Sequence, residues 1–317
     1  MKKKLTIQEV FVLALQNHKN NNFKTAANLY MEILKAKPNH INAVNNLTAL
    51  LGNTKIDLLM QIDRDTAKRL LLFLFRRNDI DHKDIFLVTR FLLFKEENHS
   101  YDQIKKIVIS DSLLLENQII KNLIDEELFQ LMLQKSLITD VFLEKILIKI
   151  RYEILFALVN KNQKILPNYF NFILSLAEQC FLNEYIYFQQ PKEINYILQL
   201  KNLIINKEKI NEMEIIVLSC YVPLYSLKNI ISKLSNYKSK NILFNNLINM
   251  QIKEPLKEKK LVNSIKSLGE ISDAVSKKVR DQYEKHPYPR WRYFYGNIPT
   301  NFLTIINALV RPNKIEI

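Results

Sequence analysis

Near one end of this 317-residue chain, four side chains suited to gripping another group fall close together: Tyr283, Tyr288, Arg290 and Trp291, the last being the only tryptophan. Tyrosine and tryptophan join a large apolar body to a polar tip, and arginine is a forked donor. Pro287 and Pro289 flank Tyr288. Each fixes its own φ and pushes the residue before it into an extended conformation. The spacing predicts a helix ending near Lys285, followed by a stiff, non-helical ribbon. Such a ribbon is either a rigid linker whose aromatics fill a hole in the nearest core, or a clasp over something bound.

The rest of the chemically capable residues are scattered. Cys180 and Cys220 lie forty residues apart among apolar neighbours, the pattern of two buried, reduced, small hydrophobes. His18, His40, His82, His99 and His286 are dispersed, so no cluster has metal-ligand spacing. There is no nucleophile elbow and no His-Glu-x-x-His run. Glu144 and Arg151, seven residues apart, share a helix face and are read as solvated or bridged by a neighbour. Gln179, Asn183 and Glu184 sit in an otherwise apolar stretch. Buried polar groups need partners, so these three are expected to pin a neighbouring helix or loop, with ligand binding as the alternative. No residue is assigned a catalytic role and none a metal.

Gln282-Tyr283-Glu284 running into Pro287-Tyr288-Pro289-Arg290-Trp291 resembles the junction of a bacterial family that joins a tetratricopeptide-repeat (TPR) region to a C-terminal S-adenosylmethionine (SAM)-dependent methyltransferase domain. The family's usual form has Asn where this chain has His286. Ala177-Glu178-Gln179-Cys180-Phe181-Leu182-Asn183-Glu184-Tyr185, Tyr221-Val222-Pro223-Leu224 and Glu254-Pro255 are similar to its middle region. The resemblance implies a non-catalytic front half. Its TPR-like surface would bind a protein partner, and Tyr283, Tyr288, Arg290 and Trp291 would cover SAM held by a methyltransferase domain supplied in cis or in trans. A SAM site of this class needs a glycine-rich turn after its first strand. Gly52, Gly269 and Gly296 are the only glycines, and no two lie within a dozen residues. The chain itself is therefore expected to lack the SAM-binding domain and to bind no cofactor alone. A free-standing helical interaction module and a weak basic nucleic-acid-binding α-solenoid are the alternative functions.

Composition bounds these readings. Apolar residues make up 48% and charged residues 25% of the chain, as in globular proteins. The net charge of +14 comes from 36 Lys and 10 Arg, beside 34 Asn, spread along the whole sequence. Specific phosphate and base recognition favours arginine and clustered charge, so nucleic acid is disfavoured as a partner. Met1-Lys2-Lys3-Lys4 imitates the start of a signal peptide, but Gln8 and Glu9 interrupt the apolar run after it. No stretch approaches the eighteen apolar residues of a membrane span. A cytoplasmic protein is expected.

The elements that must position these residues read as almost entirely helical, because period-two alternation and turn glycines are scarce. Thr6-Ile7-Gln8-Glu9 is a capping box. It opens a helix to about Asn20, followed by helices over Phe23–Lys37 and from Ile41. Val10, Leu13 and Ala14, then Phe23, Ala26, Tyr30, Ile33 and Pro38, take the inward places of one TPR unit. A second unit starts at Val44 and Leu47 and decays at Gly52. Breaks are expected at 78–81, 96–100, 110–111 and 137–140. Leu123, Leu128, Leu131 and Met132 should share one helix face. Val141, Ile146, Leu147, Ile150 and Ile154 should form another, after Asp140 as N-cap. Further helices are read over Tyr169–Tyr187, Glu193–Ile205, Glu212–Cys220, Tyr225–Leu234, Ile242–Gln251, Leu261–Leu268, Asp273–Tyr283 and Phe302–Val310, with a strand-like alternation over Lys314–Ile317. The organisation is a TPR-like region over 1–56, an irregular α-helical domain over 57–252, and a linker carrying the short extended Pro-Tyr-Pro segment over 253–317.

Overall fold

The computed structural model describes residues 5–53, 61–94, 101–110, 113–160, 167–262, 264–265 and 271–285. It is all-α, with no strand among the described residues. No helix among them is long and apolar enough to cross a membrane.

Helix α1 (Ile7–Lys19) starts where the capping box places it. Thr6 Oγ1 accepts from the Glu9 amide at 3.2 Å, and the Glu9 carboxylate accepts from the Thr6 amide at 2.7 Å. After a turn through Asn21 at φ 60°, α2 (Phe23–Ala36) folds back onto α1, and α3 (Ile41–Asn53) packs on α2. Phe23, Ala26, Tyr30 and Ile33 are buried as expected. Two inward assignments fail. Leu13 is 41% exposed, its place taken by Phe11, and Pro38 lies on the surface, where its carbonyl accepts from Arg77. Gly52 does not end α3. It lets the helix approach the 3₁₀ turn His82–Ile85 so closely that a Cβ would lie 2.4 Å from Asp84 O.

The array continues with α4 (Arg64–Phe75), α5 (Phe86–Phe94), α6 (Tyr101–Ile109), α7 (Gln118–Asp125), α8 (Glu127–Lys135) and α9 (Val141–Val159). Leu123 and Leu128 are both buried, but on two helices. Glu126 turns extended at ψ 114° between them, and its carboxylate accepts from the Leu128 amide. Asp140 caps α9 through the Leu143 amide at 2.9 Å and pairs with Arg90 at 2.9 Å. Ile146, Leu147, Ile150 and Ile154 are buried beneath α9, whereas Val141, in the uncovered first turn, is 66% exposed.

Helix α10 (Phe170–Leu182) is the centre. Every side chain from Phe172 to Leu182 is buried, as a helix packed on all sides requires. It contacts α8, α12 (Glu212–Leu218) and α14 (Ile242–Ile248), while α9 packs on α11 (Pro191–Asn206). After α13 (Lys228–Asn236), α14 passes through a π turn, Asn249–Lys253, into α15 (Glu254–Val262). The charged stretch from Ile252 to Lys260 thus marks a change in burial and not a break in the helix. Ile252 is fully buried, whereas most residues from Lys253 to Val262 are exposed. Helix α16 (Ala274–Lys285) begins at Asp273, which accepts from the Val275 and Ser276 amides.

Candidate functional site

Two buried glutamines hold the central helix to its neighbours. Gln179 on α10 donates from Nε2 to Leu133 O and Ser136 O, each at 2.7 Å, and its Oε1 accepts from Ile138 N at 3.1 Å. It pins the α8–α9 loop, the structural role expected of it. Gln251, in the π turn, does the same on the other side. Its Nε2 reaches Ala177 O and Ser219 O, and its Oε1 accepts from Leu224 N and the Tyr185 hydroxyl, all between 3.2 and 3.4 Å. The sequence reading missed Gln251. Its signal in the sequence is weak, because the run from Leu247 to Ile252 holds two amides, Asn249 and Gln251, of which only Gln251 is buried.

Asn183 ends α10, and its Oδ1 accepts from the Tyr185 amide at 3.0 Å. Glu184 and Tyr185 both adopt left-handed backbone, φ 55° and 60°. Each costs about 1–2 kcal/mol for a residue with a Cβ, a cost the surrounding buried contacts offset. This turn brings Tyr187 and Phe188 back to α9, where Arg151 is 1% exposed and not solvated. The Arg151 guanidinium donates to Phe188 O at 2.9 Å, and more weakly to Cys220 O and Tyr187 O. It lies over the Tyr221 ring, 4.3 Å from its centroid, and 3.9 Å from Glu193 Oε1. Glu193 completes the knot by accepting from the Tyr221 hydroxyl at 3.0 Å and from Gln190 N at 2.6 Å. Burial opposes the Arg151 charge, but Cys180, Tyr221 and Glu193 hold its pKa above the ordinary value. Both cysteines are free and buried. Burial pushes both thiols up. At Cys180 the contact with Cys220 and the Arg151 charge outweigh it, while Cys220 stays well above the thiol range. The knot is closed to solvent and acts as a clamp between α9, α11 and the end of α12.

A second feature beside α10 is open to solvent. A cleft of about 330 Å³ runs between α8, α10 and the α14–π-turn junction. Leu243 and the buried Met250 supply its apolar part, and Asn78, Gln134, Asn246 and Asn249 supply four primary amides. Its charged groups are Lys135, Glu178 and Glu254. Glu178 is 3% exposed although it faces the cleft. Asn249 Nδ2 donates to Glu254 Oε1 at 2.7 Å and orients that carboxylate. Ligand clefts of about 300–1,000 Å³ are usually mostly apolar; this one is mostly polar, and its amides are partly engaged within the protein, Gln134 Nε2 donating to Ser175 Oγ at 3.0 Å and Asn78 Oδ1 accepting from Lys135 Nζ at 2.5 Å. A recess bordered by Lys207, Glu214 and Lys233 measures about 10 Å³, no more than one water needs.

Of the clasp residues, only Tyr283 is described. It is 63% exposed on α16, in line with Val275 and Val279, which are 71% and 46% exposed. Tyr288, Arg290 and Trp291 lie outside the described residues, as do the helix expected over Phe302–Val310 and the alternation over Lys314–Ile317. No group of three or more His, Cys, Asp or Glu side chains is placed to hold a metal ion among the described residues. Compared with models of protein families, with curated proteins and with solved structures, the chain finds no match.

Proposed function

We propose that this chain is a non-catalytic, TPR-like interaction scaffold that serves as the front half of a SAM-dependent methyltransferase, with the catalytic domain supplied in cis or in trans. The observation that carries this reading is α16. Val275, Val279 and Tyr283 recur every fourth residue, so they form one apolar stripe, and all three are exposed. An exposed stripe at helical spacing suits a partner's groove. The stripe leads directly into Pro287-Tyr288-Pro289-Arg290-Trp291. In this reading Tyr283, Tyr288, Arg290 and Trp291 close over the cofactor side of the partner domain.

Equilibrium dialysis against labelled SAM tests the division of labour. The chain alone is expected to retain none, and stoichiometric retention would overturn its reading as non-catalytic. With a SAM-binding methyltransferase domain fused after Ile317, alanine at the four clasp positions is expected to weaken SAM binding. Unchanged affinity would remove the clasp role.

A further inference from the structure

We propose that Cys180 and Cys220 are a redox-active pair, in which a peroxide oxidises Cys180 and Cys220 then closes a disulfide onto it. This goes beyond the scaffold reading and does not depend on it.

Placement brings the pair together although forty residues separate them. Cys180 lies on α10, and Cys220 lies just past the end of α12, which packs on α10. Cys220 Sγ is 3.3 Å from Ile216 O and 3.8 Å from Ile173 O on α10. The two sulfurs are in contact, and both thiols are free.

The surroundings of the two sulfurs differ. A thiol buried among apolar groups alone stays protonated and inert. Burial pushes the Cys180 thiol up, but the contact with Cys220 and the adjoining Arg151 guanidinium outweigh it and leave its pKa below the ordinary value. Burial keeps Cys220 well above that value. One sulfur is thus prepared to attack as a thiolate, and the other to follow as a thiol.

Donors without an acceptor surround Cys180. Among the described residues, nothing accepts from Arg151 Nε, Asn183 Nδ2 or Tyr187 Oη, and all three side chains are buried. Buried donors left in this way call for an explanation. Arg151 lies against the Cys180 sulfur, the Tyr187 hydroxyl is close enough to feel its charge, and Asn183 lies beside that hydroxyl. Burial, and then the Cys180 charge, hold the Tyr187 pKa well above its ordinary value, so Tyr187 remains a donor. A thiolate at Cys180, or the oxygen of a sulfenic acid there, is an acceptor that suits this set.

The turn from Asn183 to Tyr187 walls the site. Glu184 and Tyr185 hold left-handed backbone in it, at φ 55° and 60°, and such strain gathers at reactive and moving segments. The Tyr185 amide donates to Cys180 O at 2.9 Å, which sets the turn directly on the cysteine. Ile186 and Phe188 are exposed on its outer side. A local opening of this turn admits a molecule as small as hydrogen peroxide while Arg151 and Cys220 stay on the sulfur.

In the first step the Cys180 thiolate attacks one peroxide oxygen. An S–O bond forms, the O–O bond breaks, and hydroxide leaves and takes up the proton that Cys180 had released. In the second step the Cys220 sulfur attacks the sulfenic sulfur. The S–S bond forms, the S–O bond breaks, and the departing hydroxyl takes the Cys220 proton as a second water. Two thiols are oxidised by two electrons and one peroxide is reduced to two waters. A dithiol reverses the change by exchange.

The test is mass spectrometry of the full chain, first reduced and then treated with hydrogen peroxide under native conditions. The native sequence is expected to lose two hydrogens, to yield a peptide linking Cys180 to Cys220, and to regain both thiols with dithiothreitol. The rate should not change with urea below the unfolding transition. In Cys220→Ala the reaction should stop at a sulfenic acid that dimedone traps on Cys180. In Cys180→Ala, Cys220 should be trapped about tenfold more slowly or less. Circular dichroism melting shows whether the variants are folded, and the link in the native sequence needs no variant. No link, a link that forms only where urea unfolds the chain, or equal trapping at the two cysteines overturns the proposal.

Discussion

Single residues set the pH and mutational response of this protein. His82 is 3% exposed, stacks on Phe75, and has Nε2 3.1 Å from Arg77 O. Burial, and then the charge of Lys135, bring its pKa down to about 4, against the smaller opposing pull of the Arg77 carbonyl, Asp81 and Asp79. The unfolded chain therefore binds this proton first as pH falls. Stability from a neutral His82 is full above about pH 6.5 and is lost progressively toward pH 4, by about 3 kcal/mol in all. Urea denaturation across that window should show the loss in the native sequence and a flatter profile in His82→Gln; parallel profiles would contradict it. Arg151 makes a different prediction. Removing one member of a buried ion pair costs about 3–5 kcal/mol because the other charge is stranded. Arg151→Met should lose stability on that scale, and adding Glu193→Gln should recover part of it. A loss below about 1 kcal/mol for Arg151→Met would show that the knot adds nothing.

At the scale of elements, helix starts were the most legible feature of the sequence. Thr6, Asp140 and Asp273 announce their helices because a short acceptor side chain three residues before a free amide is local chemistry. The break at Glu126 was not legible. Leu123 and Leu128, five residues apart around Asp125-Glu126-Glu127, fit a continuous helix closely enough, and only the packing of α7 and α8 onto different neighbours separates them. The π turn was hidden for the same reason, since one extra residue in a turn leaves no mark in composition. Gly52 has the look of a fading repeat in sequence but is a contact point in the fold. Gly52→Ala improves helix propensity by about 1 kcal/mol, yet its Cβ meets backbone at 2.4 Å. The clash should win, for a net loss of about 1–3 kcal/mol; a thermal melt at or above that of the native chain would contradict the close approach. Gln251→Leu should likewise cost about 3 kcal/mol, because Ala177 O, Ser219 O and Leu224 N lose a buried partner together. Retained stability in a denaturant titration would show that the π turn is not anchored there.

Across the whole molecule, the all-α class comes from period and composition, whereas the candidate site does not. The cleft joins Asn78, Gln134, Glu178 and the helical run that carries Asn246 and Glu254, four separate segments, and no local spacing could have linked all four. Conversely, Gln179, Asn183 and Arg151 could be singled out because polar residues in apolar runs are visible in sequence, but their partners lie on other helices. The central proposal is that the exposed stripe of Val275, Val279 and Tyr283 on α16 faces a partner methyltransferase domain, while the Arg151 knot is internal structure. The most direct measurement is a ¹H–¹⁵N NMR titration of the full chain with a SAM-binding methyltransferase domain, following backbone amide and arginine Nε signals. Shifts should concentrate at Val275, Val279 and Tyr283 while Arg151 Nε stays unchanged. Shifts centred on Arg151, or absent from α16, would contradict the account.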